Sequence, residues 1–217
     1  MTRISVAEGY RVWAASYDHD PNPLLALEMR LVRERLEPMA GQTVIDVATG
    51  TGRWMRYAAS RGARVFGVDI SPDMLAAATG GPVVLADIRS LPFSDGSADL
   101  AICSFALGYL SSPAAALCEM ARIARRLIVA DLHPAASEAG WKRSFRSGGE
   151  CWELASCYHS PRDVDEAAAA AGLERVWEIE SGFGEPERAI FEAAGRHDLF
   201  LKTAGIPAVH VRCWTRI

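Results

Sequence analysis

Acidic residues and glycines recur at regular intervals in the middle of this 217-residue chain, in a spacing suited to holding a nucleotide. Asp46 lies in an apolar run and is followed by Val47-Ala48-Thr49-Gly50-Thr51-Gly52, a turn whose glycines let the backbone approach a ligand closely. A helix-like stretch starts at Arg53 and presents free N–H groups to the same turn. Asp69 follows the turn by about twenty residues, a spacing at which an acid can accept both hydroxyls of a ribose. Asp87, in Ala86-Asp87-Ile88, can accept a hydrogen bond from an adenine amino group or simply face solvent. The glycine turn alone serves nucleotides generally. With Asp69 it indicates an adenosine-type ribose, without saying which cofactor carries it.

These residues need a scaffold, and the hydrophobic pattern predicts one. TVIDVA (43–48) reads as a strand, Arg53 to Arg61 as a helix, and ARVFGVDI (63–70) as a second strand. SPDMLAAAT (71–79) is a helix with Ser71 as N-cap and Pro72 at its first position. Strand PVVLAD, strand SADLAICSF, helix PAAALCEMARIA and strand RLIVADL complete the series. Such alternation implies a parallel sheet covered by helices on both faces, with right-handed crossovers and ligands beyond the carboxyl ends of the strands. Upstream, Leu24, Leu27, Leu31 and Leu36 mark an amphipathic helix over 22–37, ended by Pro38. Downstream the alternation breaks over 135–159, which reads as two irregular strands joined at Gly148-Gly149 and inserted over the site. A helix from Ser160-Pro161 to Gly172, a strand LERVWEIES, a helical stretch within 186–204 and a closing strand AVHVRCWTRI follow.

Composition narrows the setting. The chain is 50% hydrophobic and 23% charged, which suits a packed core rather than disorder. One core can serve a chain of this length, so a single domain over 1–217 is expected. Its parts are N-terminal helices (1–40), a cofactor half (41–132), an insertion capping the acceptor (133–159) and a C-terminal half (160–217). A net charge of -4 lacks the basic field of nucleic-acid binders. Cys103, Cys118, Cys151, Cys157 and Cys213 are odd in number and form no C-x-x-C pair, so neither disulfides nor a zinc site is indicated and a cytoplasmic setting is expected. The opening MTRISVAEGYRVWAASYD has no apolar leader core, and no run approaches the roughly 20 apolar residues that cross a bilayer, so no membrane association is expected.

DVATGTG, GVDISPDML, LADIRSLPFSDGSADLAICSFALGYL and ALCEMARIA together resemble the successive motifs of the class I S-adenosylmethionine-dependent methyltransferases, above all the UbiE-like or type 11 group of small-molecule enzymes. The resemblance spans about residues 40 to 132, with a weaker match at 10–24. It implies a Rossmann-like three-layer α/β sandwich with a seven-stranded, mostly parallel sheet whose last strand is antiparallel, plus an N-terminal helical lid and an insertion after the fifth strand. By the same resemblance Asp46, Ala48, Gly50 and Gly52 hold the amino-acid part of the cofactor and Asp69 its ribose. Ile70 and Met74 flank the adenine, Asp87 and Ile88 meet its amino edge and face, and Ser104 lines the sulfonium side. Tyr17 contacts the cofactor from the lid, or else joins Tyr10 and Trp13 as a core anchor on one helical face. The chain departs from the family pattern twice. Ala48 replaces the first glycine of the turn, and Arg122-Ile123-Ala124-Arg125-Arg126 replaces a glycine-proline turn before the fifth strand, shortening that connection.

Methyl transfer from a sulfonium is an in-line displacement that asks mainly for orientation and exclusion of water. No metal is required. A hydroxyl or amine acceptor must also lose a proton, for which His133 is the preferred base and His159 the alternative; either histidine can instead be structural. Tyr109, Arg143, Arg146, Trp152 and His159 are the expected acceptor residues, with Arg143 or Arg146 on an anionic group; a solvated hairpin is the plainer reading of the insertion. Ser104-Phe105-Ala106-Leu107 lacks the Asn/Asp-Pro-Pro-Tyr arrangement of nucleobase amine methylation. The expectation is therefore S-adenosylmethionine-dependent methylation of a small molecule, on a hydroxyl or carboxylate oxygen, with S-adenosylhomocysteine as product, by a monomer or homodimer that binds no nucleic acid. Two rivals stand beside it. One is a catalytically silent binding module on the same fold. The other is a nicotinamide-dependent oxidoreductase, disfavoured because Arg53-Trp54-Met55 follows Gly52 without a third glycine and no Tyr-x-x-x-Lys pair occurs.

Overall fold

The computed structural model describes residues 2–19, 21–36 and 39–217. In chain order its elements are β1 (Thr2–Ile4), α1 (Val6–Trp13), α2 (Pro23–Arg33), β2 (Thr43–Val47), α3 (Arg53–Ser60), β3 (Arg64–Asp69), α4 (Pro72–Ala77), β4 (Val83–Leu85) and β5 (Ala98–Ser104). Then come α5 (Ala114–Ile123), β6 (Ala124–Leu132), α6 (Pro134–Glu138), β7 (Ser144–Ser147), β8 (Glu150–Leu154), α7 (Pro161–Ala170), β9 (Leu173–Ser181), α8 (Glu185–Ala193), α9 (His197–Thr203) and β10 (Val209–Arg216). Seven strands form one sheet in the order β4-β3-β2-β5-β6-β10-β9. All run parallel except β10, which is antiparallel to both β6 and β9.

The central strand β2 buries Val44, Ile45, Asp46 and Val47 in succession, the continuous burial of a strand covered on both faces. One core joins Leu27 and Leu31 of α2, Met55 of α3 and Phe191 of α8; the other joins Leu117 and Met120 of α5, Ala168 of α7 and Trp214 of β10. The result is a three-layer, Rossmann-like sandwich. Its edge differs from the expected uniform cover: Val83, Val84 and Leu85 of β4 are exposed, because no helix lies between β4 and β5 to pack on them.

Local signals account for most element ends. Asn22 caps α2 with Pro23 at its first position, and Ser71 caps α4 in the same way. Helix α2 stops at Arg33, where Glu34 closes the last turn onto Arg30 and Leu36 packs on the core; Pro38, the expected terminator, lies outside the described residues. The helical stretch within 186–204 is two helices, broken at Gly195 with φ +67°. Helix α5 runs into β6 with no connecting loop, and the Arg122 carbonyl accepts the Gly96 N–H at 2.9 Å.

The insertion holds a short helix, α6, and then the hairpin β7-β8, which turns through Gly148 and Gly149 at φ +59° and +81°. Strand β1 pairs parallel to β8, so the N-terminus and the insertion form a second, three-stranded sheet. Sequence alone shows nothing of this pairing. It seats α1 tightly, since a Cβ on Gly9 would come within 2.1 Å of Leu154. No described helix is long and apolar enough to cross a membrane.

Candidate active site

Between β2 and α3 the chain turns through Ala48, Gly50 and Gly52, all at positive φ (+57°, +57° and +87°). A left-handed conformation costs a non-glycine residue roughly 1–2 kcal/mol, so Ala48 holds some strain at this turn. Gly52 cannot carry a side chain: a Cβ there would lie 2.3 Å from the carbonyl oxygen of Thr79. Asp69, at the end of β3, fastens the turn by accepting the Gly50 N–H at 2.8 Å on one oxygen and the Ser71 N–H at 2.8 Å on the other.

Above the turn lies a cavity of about 790 Å³, in the size range of small-molecule sites. Asp46, Ala48, Gly50, Asp69, Ile70, Met74, Asp87, Ile88, Ser104, Tyr17 and Tyr109 line it as expected; Gly52 lies beneath, against Thr79. The carboxylate of Asp87 is held by its neighbour, with Arg89 Nε at 2.9 Å and Nη2 at 2.5 Å, which lowers its pKa. Sequence reasoning missed the floor and the roof. On the floor, fully buried Glu28 of α2 meets Arg53 Nη1 at 2.6 Å and accepts from Trp54 Nε1 at 2.8 Å and Ser104 Oγ at 2.9 Å. An acid on the apolar face of an otherwise amphipathic helix was the available signal. On the roof, Thr51 donates to Asp18 at 2.8 Å, tying the chain after α1 to the glycine turn. Tyr10, Trp13 and Tyr17 pack on one another there, as core anchors do, and Tyr17 also lines the cavity.

The expected acceptor residues need correction, since of those proposed only Tyr109 borders this cavity. Arg143 stands behind the wall, ion-paired to Asp131, donating to the Phe105 carbonyl at 2.5 Å and stacked 4.6 Å from the Tyr109 ring. It holds Phe105 at φ +55°, a conformation unusual for so bulky a residue. Arg146 is exposed on the outer face of the hairpin, because consecutive strand residues point to opposite faces and Phe145 faces inward onto Trp13. Trp152 is paired with Phe145 and shares its face, toward α1 and away from the cavity. His159 Nε2 donates to the carbonyls of Leu107 and Leu110 at 3.1 and 2.9 Å. His133 caps α6 through Nδ1, which accepts from Ala135 N at 3.0 Å, and its Nε2 lies 3.2 Å from Glu180. Neither histidine lines the cavity, so neither reaches a ligand there.

Burial raises the Asp46 carboxyl to about 7, against the opposing pull of the Thr49 hydroxyl, Arg53 and the Met55 N–H. Between about pH 4, the unfolded value, and about 7 the folded chain therefore keeps a proton that the unfolded chain has lost. Stability from this group is present below pH 4 and falls as pH rises through that window. Asp46→Asn is expected to remove the fall, so that urea midpoints of the variant gain on the wild type between pH 5 and pH 8. Parallel pH profiles would refute it.

Residues 45–127 match a family model described as a methyltransferase domain. Over 98 residues the chain is 39% identical to a demethylmenaquinone methyltransferase of Corynebacterium kroppenstedtii, covering 44% of this chain and 43% of that protein. It is 33% identical over 133 residues to a malonyl-[acyl-carrier protein] O-methyltransferase of Serratia marcescens, covering 58% and 50%. These alignments span about half the length of the curated relatives. Among solved structures, an S-adenosylmethionine-dependent methyltransferase from Mesorhizobium loti superposes with a TM-score of 0.69 at 20% identity, over 87% of this chain and 97% of that one.

Proposed function

We propose that this chain, whose residues 45–127 match a methyltransferase domain and whose fold is shared with S-adenosylmethionine-dependent methyltransferases, transfers the methyl group of that cofactor to a carboxylate oxygen of a small molecule. The observation that carries the proposal is one continuous cavity, which joins a glycine turn and Asp69 to an apolar, tyrosine-lined end under α1. The residues present fit the cofactor. Gly50 is bare where a Cβ would press on Met74 at 3.1 Å, Asp69 lines the cavity beside the turn, and Asp46 keeps one oxygen clear of its two hydrogen bonds. When bound, the cofactor supplies an electrophilic methyl on a sulfonium whose charge vanishes during transfer.

The protein's part is to bind, orient and keep water out. Tyr10 donates its hydroxyl proton to Tyr109 at 2.9 Å, which directs the Tyr109 proton onward as a donor for an acceptor oxygen. Among the described residues no histidine lines the cavity. An acceptor that arrives already ionised fits this wall better than a hydroxyl that must lose a proton, and the relatives include an O-methyltransferase.

Calorimetry is expected to show binding of S-adenosylmethionine and S-adenosylhomocysteine and none of NAD; the reverse pattern would return the oxidoreductase reading. Asp69→Ala should weaken cofactor binding by about 1.5–3 kcal/mol, the range for hydrogen bonds to a charged group. Labelled methyl transferred to carboxylic acids should be released by mild alkali, as esters are. Alkali-stable product would mean another acceptor atom. Cofactor binding without transfer across a broad acid panel would favour the silent binding module.

A further inference from the structure

Separate from the methyl-transfer cavity, a smaller one of about 80 Å³ lies over β6 and β10, roofed by α6 and the strap 155–160. Strand alternation puts His210 and Arg212 of β10 on its floor. Arg212 is 3% exposed, and its Nη2 is buried without a hydrogen-bond partner. Buried donors are nearly always paired, so this one leaves a hydrogen bond to offer beside the cavity.

Glu178 and Asp131 are already engaged, whereas Asp165 Oδ1, like Arg212 Nη2, is buried without a hydrogen-bond partner. Glu178 takes Arg212 Nε at 3.1 Å, Arg175 at 2.9 Å and His210 Nε2 at 2.5 Å. Asp131 takes Gly108 N at 2.9 Å, Leu132 N at 2.7 Å and Arg143. Asp165 stands 3.7 Å from Arg212 Nε and does not border the cavity. Arg175 and Arg212 on Glu178 also oppose a cation at the Glu178, Glu180 and His210 cluster, whose ligand atoms lie within 4.8 Å of one another. Beside Arg212 Nη2 the lining includes Ser137 and Tyr158, whose hydroxyls can donate into the space, together with Arg143 and His159, both already bonded to protein acceptors.

We propose that this cavity binds one small oxyanion, a carboxylate or a phosphate group, through Arg212 Nη2 and the Ser137 and Tyr158 hydroxyls. At roughly 30 Å³ per water, 80 Å³ holds about three waters or one such group. The bound anion adds to the contacts that hold the strap, which carries Cys157 into the wall of both cavities and is fixed there by Cys157 N on the Gly108 carbonyl at 2.7 Å and by His159 Nε2 on the Leu107 and Leu110 carbonyls. The site is thus a second one, independent of the cofactor and adjoining the acceptor end.

The test is thermal stability of the full chain against sodium acetate and sodium phosphate at constant ionic strength, with and without saturating S-adenosylhomocysteine. A saturable rise is expected in the wild type and in Arg146→Ala, unchanged by the nucleoside, with at least tenfold weaker binding in Arg212→Gln. Tyr158→Phe, on a partly exposed side chain, should weaken binding two- to fivefold, and it carries the test if Arg212→Gln does not fold. Response to phosphate alone assigns a phosphate group; response to both anions assigns the shared oxyanion chemistry. No saturable rise with either anion, equal rises in all variants, or competition by the nucleoside overturns the proposal, as does a crystal grown in phosphate with only water in the cavity.

Discussion

Glu28→Ala is expected to lower folding stability by about 3–5 kcal/mol, the usual result of removing one member of a buried ion pair. Glu28 has no exposed surface, and its loss takes the carboxylate at once from Arg53, the Trp54 indole and the Ser104 hydroxyl, leaving Arg53 its Nη2 bond to Ser104 Oγ at 3.0 Å. The Arg53 Nη1 contact is an ion pair held by proximity rather than by hydrogen-bond alignment, so charge compensation is its main content. The double variant Glu28→Met with Arg53→Met should recover much of the loss, because an apolar pair of similar volume leaves no charge buried alone. Urea unfolding of the two single variants and the double variant gives the cycle. A loss below about 1 kcal/mol for Glu28→Ala would show that water reaches Arg53 and carries the charge instead. Since Arg53 and Ser104 also line the cavity, cofactor binding should fail in the single variant even where the protein stays folded.

Gly52→Ala is expected to cost about 3 kcal/mol and to abolish cofactor binding. Two terms add: an alanine at φ +87° carries the left-handed penalty of roughly 1–2 kcal/mol, and its Cβ would sit 2.3 Å from the backbone oxygen of Thr79, so the turn or the end of α4 must move. Gly148→Ala separates the terms. Gly148 has φ +59° and nothing within 4 Å of a built Cβ, so only the backbone penalty applies and the expected loss is about 1 kcal/mol. Denaturant midpoints for both, with cofactor titration of each, decide the matter. Equal losses at the two glycines would mean that the Thr79 contact relaxes freely and the turn is not fixed by it.

Much of the local structure follows from consecutive residues, although several helix ends do not. The alternation of strands and helices over 43–132, the cap at Ser71, the helix opening at Ser160-Pro161 and the hairpin turn at Gly148-Gly149 all depend on periodicity, side-chain caps and positive φ, which lie within a few residues of one another. The cavity wall formed by Asp46, Ala48, Gly50 and Asp69 was legible for the same reason, because parallel strands deliver their carboxyl ends to one edge whatever lies elsewhere in the chain. The acceptor end was not. Its walls come from pairings between distant residues: β1 on β8, Tyr10 on Tyr109, Glu28 on Arg53. Arg143 is chemically as suited to a substrate carboxylate as to Asp131, and only the position of the hairpin gave it to Asp131. One residue of register on β7 sends Phe145 inward and Arg146 to solvent. The strand that follows the fifth helix was visible in the sequence, but its neighbour β10, which carries His210 and Arg212 between β6 and β9, comes from the far end of the chain. Residue type and spacing thus determined the kind of ligand the sheet edge can hold. Which side chains reach that ligand was decided by long-range packing, where burial and the pairing of charges choose among partners that a linear pattern leaves equivalent.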